Sequence, residues 1–276
     1  MRQGGSGRCN FPLPQNLTVE QTDYTLDAFE KRTATAAFSA KGDWTLSIVY
    51  DDADAGDETG TAWLTADAAG GAAGEQSLGM SAARNFQAAP RTAYVDLVCG
   101  EQTVRLTVTQ TGLSDDMDFS ALFDETFAQK LQQRGIISDA EKITMQEIQS
   151  MAIMTELDIS GTYNNPGSLT SLRGIEYFEA LTKLNCNRNS LPTLNISQNT
   201  ELTKLYCDDN QLKELDISRN TKLTYLSCEN NPGDGNSGFP LTVWGDQAEK
   251  PGSLYVYQSG WWYNGKYITI EYQTAE

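Results

Sequence analysis

Leu181-Thr-Lys-Leu184-Asn-Cys186-Asn-Arg-Asn189 returns 21 residues later as Leu202-Thr-Lys-Leu205-Tyr-Cys207-Asp-Asp-Asn210, and again as Leu223-Thr-Tyr-Leu226-Ser-Cys228-Glu-Asn-Asn231. The intervening halves match as well: Leu191-Pro-Thr-Leu194-Asn-Ile196-Ser-Gln-Asn199 against Leu212-Lys-Glu-Leu215-Asp-Ile217-Ser-Arg-Asn220. A fixed period of this length marks a chain that winds back on itself, pass upon pass. Leu184 and Cys186 alternate with Lys183, Asn185 and Asn187. A short strand therefore buries the first pair and exposes the other three. Successive passes about 4.8 Å apart build a parallel sheet without crossover helices. Asn189, Asn210 and Asn231 stand where the chain leaves the strand. Their amides can satisfy backbone groups that the turn leaves unpaired.

The pattern resembles the leucine-rich repeat, with cysteine at the third leucine position, as in internalin-like bacterial proteins. The short period implies an extended or loosely turned return rather than a helix. A degenerate first pass precedes the good ones. Met154-Thr-Glu-Leu157-Asp-Ile159 aligns with the strand half if six residues are inserted around Tyr163–Ser168. Alternatively, Leu157-Asp-Ile159-Ser160 matches the return half Leu215-Asp-Ile217-Ser218. The first register is preferred, because Ile175 to Leu181 then equals Ile196 to Leu202. Cys186, Cys207 and Cys228 share one inward column. At most one disulfide could form among three, and free thiols acting as small hydrophobes are expected. No C-x-x-C pair and no histidine completes a zinc site, so neither metal nor cofactor is expected.

Both ends of the repeats offer a cover. Upstream, Phe119, Phe123, Phe127 and Leu131 recur every four residues, an apolar helical stripe ending near Gly135. Thr144-Met-Gln-Glu147 is a capping box opening a second helix. Downstream, Trp262-Tyr263-Asn264-Gly265-Lys266-Tyr267 predicts a hairpin turning at Asn-Gly, expected as the C-terminal cap.

Residues 16–112 read as β throughout. Trp44-Thr-Leu46-Ser-Ile48, Tyr94-Val-Asp-Leu97 and Val104-Arg-Leu106-Thr-Val108 alternate, and Gly100-Glu101 separates the last two as a hairpin turn. Short strands with polar turns over this length suggest an immunoglobulin-like sandwich. Gly42-Asp43-Trp44, Trp63-Leu64-Thr65, Gly70-Gly71-Ala-Ala-Gly74 and Val104–Gly112 resemble the BACON domain of Bacteroidetes secreted proteins. That family is named for a proposed link to carbohydrate binding and commonly opens surface proteins and exported enzymes. The resemblance implies an exported or surface-anchored protein of a Bacteroidetes bacterium. The acidic run Asp51–Gly60 departs from the family pattern.

The expected architecture is multidomain: a leader (1–15), a BACON-like all-β immunoglobulin-like sandwich (16–112) and a linker (113–117). A helical N-cap (118–153), a leucine-rich-repeat solenoid of about four coils (154–231) and an aromatic β C-cap with its hairpin (232–276) follow.

Composition narrows the function. The 276 residues carry a formal net charge of −17, with 8 basic against 14 acidic residues up to Gly112 and 12 against 23 after it. Both halves are acidic, which disfavours nucleic acid and anionic membrane surfaces. No apolar run approaches the ~18 residues of a membrane-spanning helix. Histidine is absent, removing the commonest general base and metal ligand. Met1–Asn10 lacks the apolar segment of a signal peptide, so an export signal is expected outside this chain. Asp51, Asp52, Asp54, Asp57 and Glu58 suggest calcium, but Gly56 falls one position early for an EF-hand and a solvated loop is preferred.

The leading expectation is a monomeric, non-enzymatic, extracellular or cell-surface recognition or adhesion protein, which binds a protein or glycan. Its candidate site is the outward repeat face: Lys183, Asn185, Asn187, Lys204, Tyr206, Asp208, Tyr225, Ser227 and Glu229. Exposed positions on a rigid frame are where recognition resides. The second reading is a carbohydrate-binding accessory protein using an aromatic patch of Tyr257, Trp261, Trp262 and Tyr263. The third is a glycoside hydrolase with a carboxylate pair drawn from the 37 acidic residues.

Overall fold

The computed structural model describes residues 15–51, 62–246, 248–257 and 260–275. Cys9, Asp52, Asp54, Asp57 and Glu58 lie outside them. The chain divides into two compact units between Ser114 and Asp115.

The first unit contains β1 (Leu17–Val19), β2 (Asp23–Leu26), β3 (Thr33–Ala40), β4 (Trp44–Tyr50), β5 (Leu64–Ala66), β6 (Gly70–Gly71), β7 (Gly74–Ala82), β8 (Arg91–Cys99) and β9 (Gln102–Gln110). They form a four-stranded sheet, β1-β3-β7-β5, and a five-stranded sheet, β2-β9-β8-β4-β6. In β8, Ala93, Val95, Leu97 and Cys99 turn inward while their neighbours are half-exposed. This period of two is what a sheet with one buried face demands. Phe38, Leu64, Leu78 and Met80 from the first sheet join Trp44, Leu97, Leu106 and Val108 from the second in one core. Each such side chain contributes roughly 2 kcal/mol on burial. The turn from β8 to β9 passes through Gly100 at φ +61°, a left-handed position where glycine carries no Cβ penalty. Across this hairpin Arg105 donates to both carboxylate oxygens of Asp96, at 2.7 and 2.8 Å.

The second unit opens with two helices, α1 (Glu125–Gln133) and α2 (Met145–Ala152). The stripe Phe119, Phe123, Phe127, Leu131 is not one helix, contrary to expectation. Ser120–Leu122 forms a single 3-10 turn, and Phe123 is extended at φ −100°, ψ 155°. The Asp124 carboxylate then accepts from the amides of Thr126 and Phe127 and starts α1 afresh. The N-cap preference of aspartate overrides the apolar period here. All four apolar residues are still buried. Thr144 and Glu147 form the expected reciprocal capping box at α2. Gly174, at φ +108°, lies so close to Phe123 that an added Cβ would come 2.2 Å from its ring, so only glycine fits this close approach.

The remaining strands are short: β10 (Glu156–Asp158), β11 (Lys183–Asn185), β12 (Lys204–Tyr206), β13 (Leu215–Asp216), β14 (Tyr225–Ser227), β15 (Gly238–Val243), β16 (Tyr255–Tyr257), β17 (Trp262–Tyr263), β18 (Lys266–Tyr267) and β19 (Thr269–Thr274). The expected fold, a sandwich followed by a leucine-rich-repeat solenoid of about four coils closed by a hairpin cap, is corrected by this arrangement. The unit is a set of small β-sheets: a parallel sheet β10-β11-β12-β14-β16, a second parallel sheet β13-β15-β19, and the separate pair β17-β18. The segment after Asn231 is not a lone hairpin. It adds β16 to the first sheet and β15 and β19 to the second. Leucine spacing reports which residues face inward, but where a sheet ends depends on backbone pairing, to which the non-repeating tail contributes as fully as the repeats.

Within the first sheet Leu157, Leu184, Leu205, Leu226 and Val256 stand in register. Glu156 thus pairs with Lys183, the register that aligns Met154 with Leu181. The chain leaves β11, β12 and β14 through a left-handed residue: Arg188 (φ 54°), Asp209 (φ 54°) and Asn230 (φ 56°). The asparagines that follow are buried, and their amides serve the backbone. Asn210 donates to the carbonyls of Cys186, Cys207 and Asp208 at 3.0–3.1 Å and accepts from Leu191 N at 3.1 Å. Asn231 repeats the set one pass on, with Cys207, Cys228, Glu229 and Leu212.

Candidate functional site

The outward face of the five-stranded sheet holds most of the candidate residues. The register sets Glu156, Lys183, Lys204, Tyr225 and Tyr255 in one column and Asp158, Asn185, Tyr206, Ser227 and Tyr257 in the next. At the start of the sheet polar groups pair with one another. Lys183 Nζ meets Glu156 at 3.1 Å, which raises the lysine pKa. Asn185 donates to Asp158 at 3.3 Å, and the Asn187 side-chain Oδ1 accepts from Asp208 N at 2.9 Å. Lys204 is exposed.

Toward the other end the face becomes aromatic. Tyr206 and Tyr225 lie diagonally across neighbouring strands, ring centroids 5.0 Å apart and planes at 35°. Tyr225 and Tyr255 follow at 5.6 Å and 32°. The three rings form one tilted stack, in which Tyr206 and Tyr225 are half-buried. Tyr255 closes the stack, 59% exposed, with Tyr257 beside it at 40%. Burial, then the neighbouring Tyr206 and Asp208, push the Tyr225 phenol above its ordinary pKa.

Two of the face candidates are buried. Ser227 and Glu229 are buried, at 4% and 6%. The Ser227 hydroxyl donates to Asp208 Oδ1. Alternation along the strand placed both outward, but a polar side chain satisfied by a neighbour can be covered, and Tyr257 stands in register beside Ser227. Asp208 is half-buried, and desolvation raises its pKa despite the Ser227 hydrogen bond.

The aromatic patch divides. Trp261 is buried at 3%, its indole N–H donating to Asn231 O at 3.0 Å and its ring 4.9 Å from Phe239. It belongs to the core, not to a patch. Trp262 is 62% exposed on the β17-β18 hairpin, edge-on to Tyr267 at 5.9 Å. Asn264 and Gly265 make that turn with φ of 49° and 79°, as Asn-Gly favours. Tyr263 donates its hydroxyl to Gln211 at 3.1 Å. Tyr257 joins the tyrosine face instead, with Tyr255, which was not among the expected face residues. The signal was present in Tyr255-Val256-Tyr257, an alternation like Tyr225-Leu226-Ser227 but outside the 21-residue period.

Cys186, Cys207 and Cys228 are fully buried free thiols. Burial pushes all three well above the ordinary thiol pKa. Cys186 and Cys207 each donate to the backbone carbonyl of the next strand, those of Tyr206 and Ser227, at 3.4 Å. No helix is long and apolar enough to cross a membrane among the described residues.

Residues 16–113 match the family model of the viral BACON domain. No curated protein matches the chain. Among solved structures, the chain is similar to the functional domain of InlJ from Listeria monocytogenes, described as including a cysteine ladder. That similarity has 34% identity, covers 52% of this chain and 28% of that one, and gives a TM-score of 0.39. A protein from Bacteroides thetaiotaomicron solved by NMR shows 13% identity over 41% of this chain and 98% of that one, at a TM-score of 0.26. A Bacteroides ovatus GH5 xyloglucanase in complex with a XXXG heptasaccharide shows 12% identity over 77% and 71%, at 0.28.

Proposed function

We propose that this chain is a non-enzymatic recognition protein of the cell surface or extracellular space, whose C-terminal unit binds a protein partner through the tyrosine face. The observation that carries this reading is the stack Tyr206–Tyr225–Tyr255 with Tyr257 beside it, mounted on strands held in register by their neighbours. A ligand there orders little on binding. The run of neighbouring tyrosines combines apolar ring surface with phenol hydroxyls, which suits the mixed polar and apolar groups of a polypeptide. The match of residues 16–113 to the BACON model supports a surface or carbohydrate-related setting. The absence of histidine supports a binding role over a catalytic one. A panel of purified extracellular-matrix proteins and a glycan array, probed with the whole chain, tests this. The variant Tyr206→Ala/Tyr225→Ala/Tyr255→Ala should lose the protein hit and keep a similar thermal midpoint. Unchanged binding by that variant overturns the reading.

A second reading rests on Trp262 alone, the most exposed of the tryptophans described, edge-on to Tyr267. It would serve a carbohydrate-binding accessory protein by stacking on a sugar ring. An array signal lost in Trp262→Ala, with the tyrosine variant unaffected, would favour it.

A further inference from the structure

We infer that the far end of the C-terminal unit docks an extended peptide segment bearing a carboxylate. Among the described residues β16 has β14 on one side and β19 has β15 on one side, and neither has a neighbour on the other. β19 presents six residues of backbone in this way, Thr269–Thr274, with Ile270 and Tyr272 half-buried between exposed neighbours. Beside this edge lies a cleft of about 450 Å³, lined among others by Val256, Trp261, Ile268, Ile270, Tyr272 and Lys250. Its volume falls in the range of natural ligand sites.

Three features select the occupant. An unpaired strand edge is a template for another extended chain, whose backbone completes the ladder. A strand laid there points alternate side chains into the cleft, where the aliphatic and aromatic lining receives them. The lining includes one cation and no carboxylate, in a chain of net charge −17. Lys250 is held in place by donating to Leu254 O at 2.7 Å and Pro251 O at 3.5 Å. An ammonium has three donors, so one remains for a carboxylate. A saccharide would leave the edge unpaired, and a second copy would bring −17 against −17. The cleft lining shares no residue with the tyrosine face, although Val256 lies between Tyr255 and Tyr257 on β16.

The test is selection of a random-peptide display library on the whole chain. Selected peptides should alternate apolar with small polar residues and carry an acidic group. N-methylation of alternate backbone amides should abolish binding in one register and be tolerated in the other. Lys250→Gln, an exposed change, should weaken a carboxylate peptide about tenfold and leave its carboxamide analogue unchanged. Ile270→Lys should abolish binding; if it does not fold, Lys250→Gln still decides the charge. Failure to enrich any such peptide, or tolerance of N-methylation in both registers, overturns the proposal. So does loss of peptide binding in the tyrosine variant, or a concentration-dependent dimer of the free chain that Ile270→Lys dissolves.

Discussion

The side-chain amide of Asn210 donates to the carbonyl of Cys186, one strand back, at 3.0 Å, while also holding Cys207 O on its own strand at 3.1 Å. One side chain thus ties two passes together and satisfies buried backbone groups. Asn210→Ala should therefore cost about 3 kcal/mol or more, since several buried groups lose their partner at once. Urea unfolding of the whole chain measures this. A change of less than about 1 kcal/mol would mean that the amide is not needed for the turn.

The three cysteines of the column should resist chemistry that needs a thiolate. Their pKa values lie above the ordinary one because burial disfavours the charge, so the reactive form is depleted at pH 8. Iodoacetamide followed by peptide mass spectrometry should find Cys186, Cys207 and Cys228 unmodified in the native chain and modified in urea. Cys207→Val should be tolerated, whereas Cys207→Asp should cost several kcal/mol by burying an unpaired charge. Equal stability of the two variants would contradict the inward column.

Asp208 makes a pH-dependent contribution of unusual sign. Its folded pKa is raised by desolvation, so between the unfolded and folded values the native chain binds more protons than the unfolded one. Stability from this group is then highest below the unfolded aspartate pKa of about 4 and falls as pH rises through the folded value. Asp208→Asn keeps an acceptor for the Ser227 hydroxyl and removes the buried charge. It should stabilise the chain at pH 7, with the gain shrinking toward pH 3. A gain independent of pH, or a loss at pH 7, would contradict this.

Adjacent tryptophans should behave in opposite ways. Trp261→Ala opens a cavity against Phe239 and strips Asn231 O of its donor, and should cost about 3–5 kcal/mol. Trp262→Ala removes an exposed ring and should change stability by less than about 0.5 kcal/mol. Thermal melts of the two variants decide it, and comparable losses would place Trp262 in the core as well.

Several features were determined by local chemistry and were legible in the chain itself. The inward column of Leu184, Cys186 and their counterparts follows from a period of two within a period of 21. The Thr144–Glu147 capping box and the Asn264-Gly265 turn each depend on a side chain and a few neighbouring backbone groups, so a short window suffices to read them, while the buried asparagines are legible because they recur at the repeat's own period. The burial of Ser227 and Glu229, the recruitment of Tyr255 to the tyrosine stack, and the opposite fates of Trp261 and Trp262 depend instead on strands about 30 residues apart meeting in register. So does the extension of both sheets past Asn231, where a hairpin cap was expected. Outside the repeat no period marks which strand pairs with which. Pairing there is decided by backbone hydrogen bonds and by which side chains the neighbouring pass leaves room for, and these exist only once the chain has folded.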